Sequence, residues 1–135
     1  MRRGFILACL VGSAAVCTAA AAADAAALQR GEQIYGRCLG CHAIEQHRTG
    51  PAHCGLFQRL AGTAPGFSHY SDALRRSGIK WNEATLDRFL ADPMTTVPGT
   101  YMTYQGVTNA GERRDLIAWL KVNTAPGKAC RLPSP

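Results

Sequence analysis

Leu86, Phe89 and Leu90 stand at i, i+3 and i+4, the spacing that gathers apolar side chains on one face of an α-helix. The stripe predicts a helix over 83–91. Asn82 opens it, with a side chain able to accept from the free N–H groups of a first turn. Asp92-Pro93 closes it, because a proline drives the residue before it out of the helical region. A second stripe of Leu116, Ile117, Trp119 and Leu120 predicts a final helix. Its start, Asn109-Ala110-Gly111-Glu112, has the form of a capping box with Asn109 as cap. Leu28, Ile34 and Tyr35 mark a helix over 25–37. Residues 71–77 read as a short helix with Ser71 as cap and Gly78 as stop. The segments between are rich in Gly and Pro. No stretch alternates polar and apolar residues with period two, so the expected fold class is all-α.

The N-terminus breaks this pattern. Arg2 and Arg3 precede an apolar, small-residue run from Phe5 to an Ala-rich tract that offers Ala-x-Ala cleavage sites. Residues 1–23 are expected to be a secretory signal peptide cut near Ala23, with residues 24–135 as the mature domain. The competing expectation is an uncleaved membrane anchor, but alanine contributes little transfer energy compared with leucine. The chain of 135 residues carries a net charge of +6, and removal of Arg2 and Arg3 lowers it by two. That length allows one domain, and no internal repeat suggests otherwise.

Cysteine placement narrows the chemistry. Of six cysteines, Cys9 and Cys17 leave with the signal. Cys38, Cys41, Cys54 and Cys130 remain, in an oxidising compartment. Cys38-Leu39-Gly40-Cys41-His42 is the C-x-x-C-H pattern of covalent haem attachment. Two thiols must reach the vinyl groups on one porphyrin edge, and the next residue must turn an imidazole to the iron. Five consecutive residues can do all three. A redox C-x-x-C would want a thioredoxin-like βαβ context, and a zinc site would want a second pair at metal spacing; neither is present. One motif implies one haem, with His42 as the proximal ligand through Nε2. The even pair Cys54 and Cys130 suggests a disulfide from the loop after Pro51 to the tail, with two free thiols as the alternative. Short helices make a thin core, and a buried haem would supply the missing apolar mass.

The order and spacing of further motifs carry a resemblance. GEQIY (31–35) leads into CLGCH (38–42). Then come GP (50–51), GLFQR (55–59), APGF (64–67), YSDA (70–73), GIKW (78–81), DP (92–93), PGTYM (98–102) and DLIAWL (115–120). In these the chain resembles the class I cytochrome c family, over most of its length. The resemblance implies three larger helices and several short ones wrapped around one covalently bound haem c. It implies Met102 as the distal iron ligand, a soft thioether that favours ferrous iron and raises the potential. Met94 and the loop histidines His47, His53 and His69 are the rivals for that position. The resemblance further implies that the carbonyl of Pro51 accepts from the proximal imidazole. It implies that Arg59, Tyr70, Trp81 and Thr100 meet the haem propionates, and that Gly31 and Tyr35 face the last helix near Trp119.

The chain also departs from the family. Phe89 and Leu74 stand where polar residues usually join a network near the methionine, so a drier distal pocket is expected. The segment around Met102 has no lysine, and the expected docking patch is more apolar, with Tyr101, Tyr104 and Val107. The implied function is a soluble, periplasmic, monomeric one-electron carrier, not an enzyme. It would meet redox protein partners, peripheral to membrane complexes, with no nucleic acid. The alternatives are a haem subunit dedicated to one periplasmic dehydrogenase, and a peroxidase-like or gas-sensing protein with a labile sixth ligand.

Overall fold

A computed structural model describes residues 13–127 and Cys130, with side chains from Ala20 onward. Five α-helices follow one another: α1 (Ser13–Tyr35), α2 (Asp72–Arg76), α3 (Glu83–Ala91), α4 (Pro93–Thr96) and α5 (Ala110–Asn123). A 3₁₀ turn, Gly36–Cys38, leads out of α1. Among the described residues the only β pairings are two isolated bridges, Leu60 with Lys80 and Gly127 with Cys130. The first helix differs from the one expected over 25–37. It runs back unbroken to Ser13, because an alanine-rich stretch has nothing to stop a helix, and it gives way to the tighter turn at Gly36. Residues 1–12 of the expected signal lie outside the described residues.

Caps set the other helix ends. Ser71 Oγ accepts from the Leu74 N–H at 3.1 Å. Asn82 Oδ1 accepts from the Thr85 N–H at 2.9 Å, and Thr85 Oγ1 accepts in turn from the Asn82 N–H at 2.9 Å. Two orphan donors of α3 are thus satisfied reciprocally. At α5 the box is only half formed. Asn109 Oδ1 accepts from the Glu112 N–H at 3.0 Å, but the Glu112 carboxylate takes Arg37 instead, at 2.7 and 3.0 Å. A bidentate, charge-assisted pair outcompetes a bond to one backbone N–H. Helix α4 was not foreseen. Asp92 ends α3 and also caps the next turn, accepting from the Thr95 N–H at 3.0 Å, with Pro93 in the first position that tolerates proline.

The crossing of α1 and α5 organises the core. At Gly31 an added Cβ would run into the Asp115 carbonyl and Trp119 Cβ, so only glycine permits this approach. Tyr35 lies against Trp119, ring centroids 4.5 Å apart. Arg30–Asp115 at 2.6 Å and Arg37–Glu112 flank the crossing. Arg113–Asp87 at 2.8 Å and Lys121–Glu83 at 2.5 Å tie α5 to α3. Inside sit Ile34, Leu86, Phe89, Leu90, Leu116, Ile117 and Leu120. Val107, expected in an exposed patch, is instead buried at 2% exposure. Its N–H donates to the Leu90 carbonyl at 2.7 Å, which turns its side chain into this core.

Candidate functional site

The helices enclose a cavity of about 450 Å³. Its walls are largely apolar, from Leu56, Leu74, Leu86, Phe89, Leu90, Leu116 and Leu120. At one edge stand Cys38 and Cys41, both with free thiols. The 3₁₀ turn and the bonds from the Cys41 and His42 N–H groups to the Cys38 carbonyl, at 3.1 and 2.9 Å, fold this segment back on itself. Two cysteines and a histidine therefore line one cavity together. Burial pushes the Cys38 thiol up to about 11.

His42 is held by the loop that follows. Its Nδ1 lies 2.8 Å from the Pro51 carbonyl. A carbonyl only accepts, so Nδ1 carries the proton and Nε2 keeps its lone pair. Burial holds the imidazole below the usual histidine range, with the Pro51 bond acting in the opposite sense. Gly50 comes so close that an added Cβ would overlap the His42 ring.

The other expected residues also reach the cavity. Met102 lines it, half-buried, and its N–H donates to Thr100 Oγ1 at 3.2 Å. Thr100 and Trp81 line it too, each 7% exposed. The Tyr70 hydroxyl accepts from the Ala64 N–H at 3.2 Å, which leaves its own proton free to donate. Arg59 donates to the Cys54 carbonyl at 2.5 Å and to the Ala52 carbonyl at 3.3 Å. Burial lowers its guanidinium from the ordinary range, and among the described residues no carboxylate offsets that cost. Phe89 packs against Trp81, centroids 5.1 Å apart.

The rivals of Met102 divide. Met94 is exposed and lies away from the cavity lining. His47 spends both ring nitrogens on the backbone: it accepts from the Ala52 N–H at 2.9 Å and lies 2.9 Å from the Pro65 carbonyl. His69 is exposed, its ring 5.4 Å from Tyr101, and it too lines the cavity. His53 lines the cavity beside His42, with Nδ1 hydrogen-bonded to the Tyr35 hydroxyl at 3.1 Å. Burial first, then the charges of His42 and Arg59, holds it well below the usual histidine range. The sequence marked His53 only as a candidate ligand, and nothing in its neighbours signals a place beside His42. Cys54 and Cys130 are joined, with Cα atoms 5.4 Å apart.

The family model for cytochrome c matches residues 28–123. The chain belongs to the cytochrome c family. Cytochrome c2 of Blastochloris viridis is 43% identical over 111 residues, 80% of this chain and 84% of that protein. Cytochrome c2 of Rhodomicrobium vannielii is 41% identical over 114 residues, 82% of this chain and 90% of its own. Among solved structures, cytochrome cH from Methylobacterium extorquens superposes with a TM-score of 0.68 at 38% identity, covering 70% of this chain and 97% of that one. As a monohaem cytochrome c the protein is an electron carrier with one covalent haem c and its iron. The cavity fits that group. It combines apolar walls, two free thiols, an imidazole with an open Nε2, a thioether, and a guanidinium without a carboxylate partner. Among the described residues no helix is long and apolar enough to cross a membrane.

Proposed function

We propose that this cytochrome c takes single electrons from one periplasmic redox protein and passes them to another, with His42 and Met102 as the residues that would ligate the iron. When bound, the haem supplies an iron that alternates between ferric and ferrous states. The observation that carries the reading is the Pro51 bond, which fixes the proton of His42 on Nδ1 and frees Nε2 on a ring lining the cavity. Cys38 and Cys41, whose free thiols line the cavity, would hold the group covalently as thioethers. Met102 offers a neutral, soft sulfur on a segment braced by Thr100. Arg59 offsets the cost of burying a propionate, while Tyr70, Trp81 and Thr100 have O–H and N–H groups to donate to it. Phe89 and Leu74 keep the surroundings of Met102 apolar and dry.

In this reading the chain is exported, cut near Ala23, and closed by a Cys54–Cys130 disulfide. It works as a monomer, and its positive charge steers it toward acidic surfaces. Carbon monoxide tests the ligand set. The reduced protein should keep its visible spectrum under carbon monoxide at neutral pH, and Met102→Ala should form the adduct promptly. A prompt adduct in the unmodified protein would sink the carrier reading in favour of a haem enzyme or gas sensor.

A further inference from the structure

His53 takes no part in the reading above, yet its ring is stacked on that of His42. The centroids are 4.4 Å apart and the planes 25° apart. The ring is held from both sides. Its Nδ1 is bonded to the hydroxyl of Tyr35, a residue only 4% exposed and fixed on α1 against Trp119. Its backbone N–H donates to the Ala43 carbonyl at 3.1 Å, and the next N–H, of Cys54, donates to the Ile44 carbonyl at 2.8 Å. His42 is tethered differently. One hydrogen bond, from Nδ1 to Pro51, fixes one atom of the imidazole, and Gly50 packs close against the ring. A second flat ring stacked on its face adds a further restraint on its plane, since tilting would drive one ring into the other.

We propose that His53 is a positioning residue that sets the plane of the His42 imidazole, with Tyr35 as the anchor of the stack on α1. The inference rests on the reading of His42 as an iron ligand. Proton magnetic resonance of the ferric holoprotein tests it, because the order and spread of the haem ring-methyl shifts follow the plane of the axial imidazole. His53→Leu should change that order or spread. His53→Phe keeps a flat ring and should retain the wild-type pattern. Tyr35→Phe, which releases the anchor, should move the pattern in the direction of His53→Leu by a smaller amount. An unchanged pattern in His53→Leu would overturn the proposal, as would an equal displacement in His53→Phe. Should His53→Leu fail to fold, the other two variants decide. A wild-type pattern in His53→Phe with a displaced one in Tyr35→Phe supports the stack, and the reverse overturns it. Failure of the underlying ligand reading looks different: the His42 ring protons of the unmodified protein would then show no shift from the ferric iron.

Discussion

Gly50 shows how much can rest on a missing atom. A Cβ there would overlap the His42 ring, so Gly50→Ala must displace either the loop or the imidazole. Overpacking of this kind costs about 1–3 kcal/mol, and denaturant unfolding of the holoprotein should show a loss in that range. At this scale the sequence was most legible where the chemistry needs neighbours in the chain. Cys38, Cys41 and His42 fall within five residues because one porphyrin edge demands it, and Pro51 follows within reach. His53 was not legible in the same way. Its place depends on Tyr35, eighteen positions earlier, and on a ring orientation that no local pattern encodes.

Helix ends carry charge as well as hydrogen bonds. The Asp92 carboxylate is held below its ordinary 3.8 first by the Thr95 side-chain hydroxyl and then by the Thr95 N–H. Arg37 likewise holds Glu112 below 4.5. Both groups are exposed. A carboxyl depressed in the folded state binds protons more readily when unfolded, so its contribution is present above the ordinary value and is lost as pH falls through the folded one. Asp92→Asn with Glu112→Gln removes both titrations, while asparagine can still cap. The stability gap between wild type and this double variant should therefore be widest near neutrality and narrow as pH falls below about 4. Denaturant midpoints across that interval check it, and a gap that stays constant would refute the assignment. Caps at Ser71, Asn82 and Asn109 could be read from single residues because an N-cap is a local device. The diversion of Glu112 to Arg37 could not, because it is settled by the crossing of two helices far apart in the chain.

Across the whole molecule, one long loop is closed. Cys54 and Cys130 are 76 positions apart, and a bridge over that span stabilises by about 4 kcal/mol in the chain-entropy model. Cys54→Ser with Cys130→Ser should lower the unfolding free energy by roughly that amount and leave the visible spectrum of the haem in place. A shift below about 1 kcal/mol would mean that the unfolded chain is already held together by its covalent haem segment. The same scale explains why Val107 was misplaced. A valine near an expected haem edge reads as surface until the return of the chain to Leu90 buries it.

The walls of the cavity come from both ends of the chain, from Tyr35 to Leu120, while the thiols lie close to its beginning. This spread imposes a timetable on maturation. The attachment segment is complete long before α5 can arrive to close the last wall. A folded chain would have to reopen to admit a guest as large as haem. A spread of this kind favours attachment to a chain on which α5 has not yet closed the last wall.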